Sequence, residues 1–282
     1  MPLVPTAGLV DEAVRAESAV LAFNVVTLEQ AEAVASACEH TSSPAVLAVS
    51  HNAVRYHHGD PAPLLAACAA VARGCGAPLA LHLDHVEDEN LVLRARELGC
   101  GSVMFDASRL PHEQNVARTA AVTARLHEDG VWVEAELGEI GGKDGVHSAT
   151  ARTDPAEAAA YVRATGVDAL AVAVGSSHAM TRRTADLDQE LIARLREAVG
   201  VPLVLHGSSG VPDTALVEAV AHGMRKINFG THLSAAFTRA VRASLDTGTG
   251  VDPRRYLGAG REAVTEAAAE LIRLLRPALT AV

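Results

Sequence analysis

Three histidines in this chain stand where short apolar runs give out: His85 just after 79–84, His178 a few residues past 169–174, and His206 at the end of 203–206. A neutral imidazole is a nitrogen donor at physiological pH. Catalytic zinc commonly takes three protein ligands and leaves one position for substrate or water. Carboxylates recur in the same places. Asp84 immediately precedes His85, Asp106 closes the run 102–106, and Glu134 and Glu136 lie in 131–137. Asn24, Ser50 and Asn228 stand at or near the ends of three more runs. A carboxylate beside a metal orients a ligand or moves a proton, whereas the bland role of Asp84 is to cap the next helix; both readings stand at this point. His82 shares a strand face with Asp84 and reads as a barrel histidine. His40, His57, His58, His112, His127 and His222 fall on helices or loops and read as solvated residues.

For these groups to meet, the apolar runs must be neighbouring strands. Eight candidate strands (20–25, 45–50, 79–84, 102–106, 131–137, 169–174, 203–206 and 226–229) alternate with segments whose apolar residues have helical spacing, such as 28–39, 90–98, 115–127, 187–199 and 214–221. Asp154-Pro155-Ala156-Glu157 is a helix start, with a capping Asp and Pro at the first position. The strands are continuous apolar runs, as expected when both faces are covered. Eight strand–helix units in 282 residues predict a closed (β/α)8 barrel, a TIM barrel, spanning 1–282. Helices over about 231–282 form a C-terminal extension. A doubly wound open sheet is the alternative. The barrel puts catalytic groups at strand C-termini, on one mouth, which is where the histidines and carboxylates fall.

Glycine-rich segments supply an anion site. Gly207-Ser208-Ser209 follows the seventh strand and Asn228-Phe229-Gly230-Thr231 the eighth. Barrels frequently bind phosphate at the loops after strands seven and eight, through backbone N–H groups.

Composition narrows the partners. The net charge is −10 and aromatics make up 3%, so neither a basic face nor stacking aromatics for nucleic acid is apparent. No apolar run approaches the roughly 20 residues that span a bilayer, which argues against a membrane partner. The first ten residues carry no basic-then-apolar signal pattern, so a cytoplasmic location is expected. Cys38, Cys68, Cys75 and Cys100 lack disulfide or zinc spacing and read as small buried hydrophobes.

In order along the chain, the stretches Ala22-Phe23-Asn24-Val25, Leu81-His82-Leu83-Asp84-His85, Gly101 to Ser108, Val133 to Gly138, Leu170 to Gly175, His178, Leu205-His206-Gly207 and Lys226-Ile227-Asn228 resemble class II fructose/tagatose-bisphosphate aldolases. The short length and Gly230 are more similar to the tagatose-type branch. The resemblance implies a zinc-dependent aldolase that reversibly cleaves a ketose 1,6-bisphosphate, fructose or tagatose, to dihydroxyacetone phosphate and glyceraldehyde 3-phosphate through a metal-stabilised enediolate. It makes His85, His178 and His206 the zinc ligands, and Asp106 and Glu136 a second or alternate metal position. Asp84 becomes the catalytic acid, and Asn228 the residue that holds the enediolate. Gly207 to Ser209 and Asn228 to Thr231 bind the ketone-side phosphate, with a monovalent cation (Na⁺ or K⁺) nearby; Ala179 stands where backbone approaches phosphate or cation, and Asn24 is a further substrate-binding residue. Ser50 and Arg254 contact the distal phosphate, Arg254 from a neighbouring subunit of a homodimer or homotetramer.

The alternative aldolase chemistry uses a lysine Schiff base. The chain has two lysines, Lys143 in a Gly-rich loop and Lys226 at the start of a strand, neither at a strand end. Departures from the family pattern cluster on the substrate side: Ala179-Met180-Thr181 follows His178 where Gly-Tyr-Lys is usual, His51-Asn52 replaces a small Gly-Ala turn, and a short Lys143-Asp144-Gly145 segment leaves Asp144 as the loop acid. They leave room for another phosphorylated ketose or a deoxy sugar acid. A barrel that binds metal without catalysis, as a regulatory subunit, is the reading from another class.

Overall fold

In the computed structural model, which describes residues 3–137, 152–178, 180, 182–247 and 251–276, eight parallel strands close into a ring in sequence order. They are β1 (Val20–Asn24), β2 (Ala45–Ser50), β3 (Leu79–Val86), β4 (Ser102–Phe105), β5 (Trp132–Glu136), β6 (Ala169–Ala171), β7 (Leu203–Leu205) and β8 (Met224–Phe229). Closure is the β1–β8 ladder, with Val20 opposite Lys226 and Phe23 opposite Phe229. The open sheet is thereby excluded.

Side chains alternate across each strand, so two cores form. Outward-facing Leu21, Phe23, Leu47, Leu81, Leu83, Val133, Leu205, Ile227 and Phe229 pack beneath a shell of helices. That shell comprises α2 (Leu28–Thr41), α4 (Ala62–Gly74), α6 (His112–Glu128), α7 (Pro155–Thr165), α8 (Gln189–Ala198) and α9 (Asp213–His222), with short α3 (His51–Tyr56) and α5 (Glu89–Val92) above β2 and β3. The inward side is small and apolar at one end, where Val20, Ala22, Val46 and Ala80 meet Leu9, Val10 and Ala13 of α1 (Thr6–Arg15). That helix plugs the floor, and its Thr6 hydroxyl lies 2.6 Å from Ser102 Oγ at the foot of β4. Above this floor the inward positions turn polar: His82 and Asp84 on β3, Glu134 and Glu136 on β5, Lys226 and Asn228 on β8, all buried. After β8 come α10 (Thr231–Thr247) and α11 (Pro253–Leu275). These two helices approach closely, since a Cβ on Gly260 would lie 2.6 Å from the Phe237 ring.

Several elements differ from the sequence expectations, among them β6, which ends at Ala171 and not at 174. β3 continues past Asp84 to Val86, because the chain steps out at His85 (φ +49°) and pairs again as Val86 meets Phe105. The helix expected over 90–98 shortens to α5; beyond it Arg94 N–H donates to the Leu91 carbonyl and Ala95 N–H to that of Val92, the tighter three-residue turn. Lys226 sits inside β8, which begins earlier at Met224. The four cysteines are buried, as expected.

The end of β5 is pinned by a buried amide. Asn115 Nδ2 donates to the carbonyls of Glu136 (3.1 Å) and Leu137 (2.9 Å), and its Oδ1 accepts from Tyr161 OH (2.8 Å) and Thr119 Oγ1 (3.0 Å). Leaving a buried hydrogen-bonding group unmet costs about 1–3 kcal/mol. Asn115→Ala is therefore expected to lower unfolding free energy by roughly 2–4 kcal/mol in urea titration, and Tyr161→Phe by about 1 kcal/mol. A loss below about 0.5 kcal/mol for Asn115→Ala contradicts this role.

Candidate active site and metal centre

The polar inward positions open onto a cavity of about 400 Å³ at the C-terminal mouth of the barrel. Asn24, Ser50, Asp84, His85, Asp106, Glu136, His178, His206, Gly207, Ser208, Ser209, Asn228, Gly230 and Thr231 line it. Nearly every residue expected at the site is brought to one place. Ala179 lies outside the described residues, as do Lys143 and Asp144.

Two of the expected residues lie outside this cavity. Phe229 does not line the cavity; its ring is fully buried on the outward face, 6.2 Å from that of Phe23, so its side chain packs the core. Arg254, at the start of α11, is 88% exposed and outside the cavity of its own chain. Its guanidinium is held by Asp252, with Nη2 at 2.7 Å from Oδ2 and Nε at 2.9 Å from Oδ1. Among the other histidines, His57 is not simply solvated, for its Nε2–H reaches the Val26 carbonyl at 2.8 Å.

The three histidines converge. One ring nitrogen from each of His85, His178 and His206 lies within 4.8 Å of the others. His85 Nε2 and His206 Nδ1 are 3.0 Å apart. Two nitrogens bound tetrahedrally at about 2.1 Å lie about 3.4 Å apart, so this pair is close to coordinating geometry. The far nitrogen of each ring is fixed by a carboxylate: His85 Nδ1 is 3.1 Å from Asp106 Oδ2, and His206 Nε2 is 2.7 Å from Glu134 Oε1. Such a carboxylate holds the tautomer and aims the free lone pair at the shared point. A second set, His85, Asp106 and Glu136, also falls within 4.8 Å, offering a harder position of mixed nitrogen and oxygen.

The charges around this point favour a cation. Burial would push His85 down, yet the carboxylates of Asp84, Asp106 and Glu136 outweigh it and hold the ring's pKa up at about 10. Burial and then the nearby His85 keep His206 well below the usual histidine range, so it is neutral and its lone pair is available. Burial opposes ionisation of Asp84, but His85, His206 and Lys226 together with the Asn24 hydrogen bond prevail and hold its pKa low. Where a bound metal supplies the positive charge, the extra proton on His85 becomes unnecessary. The donor set therefore fits a divalent ion.

Asp84 is presented as an ionised carboxylate within β3 and not as a helix cap; Asp88 caps α5 instead. Asn24 Nδ2 donates to its Oδ2 at 2.6 Å and Asn228 Nδ2 to its Oδ1 at 3.3 Å. Asn228 is oriented in turn from below. Lys226 Nζ donates to Asn228 Oδ1 at 2.8 Å and to Glu134 Oε2 at 2.7 Å, with both charged side chains fully buried. Sequence reasoning did not identify this Glu134–Lys226 pair as functional, although the shared inward face of Glu134 with Glu136 and of Lys226 with Asn228 could have indicated it. Lys226 is engaged below the mouth, which does not suit a Schiff-base nucleophile. His82 is satisfied at Nδ1 by Ser102 Oγ (2.9 Å), while its Nε2 stays 3.8 Å from Asp84.

The phosphate-type loops also meet. Gly207 takes the left-handed conformation (φ +68°), and a Cβ there would lie 2.7 Å from the Ser177 backbone, so glycine lets the loops after β6 and β7 touch. Ser176 Oγ donates to the His206 carbonyl at 2.7 Å across that contact. Ser209 Oγ accepts from His232 N–H at 3.0 Å, tying the β7 loop to the first turn of α10, whose N–H groups start directly after Gly230.

Known proteins share this fold. The family model for fructose-bisphosphate aldolase class-II matches residues 4–278. The crystal structure of the YdjI aldolase from Escherichia coli K12 is similar at 31% identity and a TM-score of 0.83, covering 97% of each chain. The fructose-bisphosphate aldolase Fba from Campylobacter jejuni shares the fold at 22% identity and a TM-score of 0.82, over 97% of this chain and 95% of its own.

Breaking a buried ion pair on one side leaves an uncompensated charge, at a cost of about 3–5 kcal/mol. Lys226→Met is expected to destabilise by that amount, and the double variant Glu134→Gln/Lys226→Met by distinctly less. Urea unfolding of the wild type, both single variants and the double variant measures the coupling. Additive losses would contradict the pairing.

Proposed function

The chain belongs to the class II fructose-bisphosphate aldolase family, a family of metal-dependent aldolases, and from that membership we propose that it is a zinc enzyme that reversibly cleaves a ketose 1,6-bisphosphate, fructose or tagatose, into dihydroxyacetone phosphate and glyceraldehyde 3-phosphate. The observation that carries this reading is the juxtaposition of three convergent histidines with an ionised, doubly hydrogen-bonded Asp84 in one cavity. His85, His178 and His206 would hold the zinc, a nitrogen set that suits it. The same reading includes a homodimer or homotetramer, and a monovalent cation beside the phosphate loops.

When bound, the metal supplies a Lewis acid for the ketone and adjacent hydroxyl oxygens, where negative charge develops. The chain's own residues do the rest. In cleavage the C3–C4 bond breaks and its electron pair moves onto the ketone half, while Asp84, held ionised, takes the proton from the C4 hydroxyl oxygen. In condensation Asp84 returns that proton to the aldehyde-derived oxygen. Asn228, oriented by Lys226 through its Oδ1, directs its N–H₂ toward Asp84, and in this reading it holds the enediolate oxygen. Gly207 to Ser209 and Gly230-Thr231 offer backbone and hydroxyl donors to the ketone-side phosphate, and the start of α10 adds the positive end of a helix dipole.

Purified protein is expected to contain about one zinc per chain, to lose aldol cleavage on chelation and to regain it with Zn²⁺ or Co²⁺. Metal analysis alongside the assay checks this; full activity in metal-free protein would overturn the reading. Asp84→Ala should retain the metal and lose about 10²–10⁴-fold in cleavage rate, the usual worth of a positioned proton-transfer group. Loss of metal together with activity would make Asp84 a ligand or a ligand support instead.

A further inference from the structure

The ring order of the strands fixes which loops face each other across the mouth. β7 and β8, which carry the Gly/Ser loops, lie opposite β3 and β4 in an eight-membered ring. The rim on that opposite side is charged. Arg55 on α3 follows β2, Glu87 follows β3 directly, and Arg109 lies between β4 and α6. All three line the same cavity as the histidines. Glu87 bridges the two arginines, with Arg55 Nη2 at 3.5 Å from Oε2 and Arg109 Nη1 at 3.3 Å from Oε1. Formally the trio carries one net positive charge. Both guanidinium groups are more than half exposed, at 58% and 59%.

We propose that Arg55 and Arg109, spaced by Glu87, bind a negatively charged group at the far end of the substrate, so that this enzyme discriminates for aldehydes ending in an anion. The proposal rests on the aldolase reading above and adds which residues read the distal end. A guanidinium offers five N–H donors in a planar fork suited to phosphate or carboxylate. The Arg55 bridge to Glu87, at 3.5 Å, is longer than the roughly 2.7–2.9 Å of a strong charge-assisted bond, so a better-placed oxyanion competes well for that guanidinium. A chain this acidic needs local positive charge to attract an anionic ligand, and the Glu87-bridged pair supplies it on the side away from the phosphate loops. Arg254 is outside this cavity and engaged by Asp252. The rim arginines thus give one chain its own distal anion contacts.

The test is condensation of dihydroxyacetone phosphate with three acceptors: glyceraldehyde 3-phosphate, an aldehyde of similar length ending in carboxylate, and neutral glyceraldehyde. Wild-type enzyme is expected to favour an anionic acceptor, and whichever of the two it favours identifies the group. In Arg55→Ala and Arg109→Ala the kcat/KM ratio of that anionic acceptor to glyceraldehyde should fall about 10–100-fold, chiefly through KM, since each charge-assisted contact is lost from one acceptor only. Arg55→Lys should restore part of the ratio, because it keeps the charge but not the fork. An unchanged ratio in both alanine variants, or a ratio that falls only in Arg254→Ala, overturns the assignment. Wild-type exchange of the dihydroxyacetone phosphate proton separates the two claims. No exchange defeats the aldolase reading itself, whereas exchange without preference for an anionic acceptor defeats this inference alone.

Discussion

Carboxylates crowd the mouth of this barrel, and Asp84, Glu134 and Glu136 are almost wholly removed from water. Burying an ionised carboxylate is costly unless it is paired and hydrogen-bonded, so the surrounding structure has to answer each one. Lys226 answers Glu134 from inside the barrel, where a lysine is otherwise out of place. Asn24 and Asn228 answer Asp84. What remains around Asp106, Glu136 and the histidines is a field that holds a positive charge on His85. A divalent ion satisfies that field and uses the neutral nitrogen of His206 at the same time. Metal binding and the buried polar layer are thus one electrostatic arrangement.

That layer also gives the mouth a direction. Glu134 links the lysine to His206, and the lysine links Glu134 to Asn228, so the imidazole of the proposed metal centre and the Asn228 amide share a support on β5 and β8. The floor is closed by α1 and small apolar side chains, leaving the C-terminal end as the open side. Backbone and hydroxyl donors stand on one side of the centre, after β7 and β8, and the Arg55–Glu87–Arg109 trio on the other. The proposed substrate, with an anion at each end, would lie between these two sides with its reacting carbons over the histidines.

Much of this was legible in the chain because strand ends and chemistry coincide. An aliphatic run that stops at an ionisable residue, repeated around a ring, specifies both a barrel and its active end. The less visible parts have physical reasons. The β3 extension depends on a left-handed residue at His85, which pattern alone does not signal in a non-glycine. Helix α4 is so rich in alanine and leucine that no polar face marks its period, and α1 starts after Pro5 with no side-chain cap. Lys226 reads as a strand start unless the alternation of β8 is followed from Met224. Phe229 illustrates the converse: it follows Asn228 directly, and the strand's period of two turns its ring away from the cavity into the core. Arg55 and Arg109 belong to no strand end, so only the folded mouth brings them to Glu87.

The central claim is that the histidines of three strand tops form one metal centre. Diffraction from crystals of the purified protein, recorded on both sides of the zinc absorption edge, tests it most directly. The account requires an anomalous peak at about 2.0–2.1 Å from a ring nitrogen of each of His85, His178 and His206. A peak held by Asp106 and Glu136 with His178 and His206 turned away, or no peak in protein that is active, would contradict it.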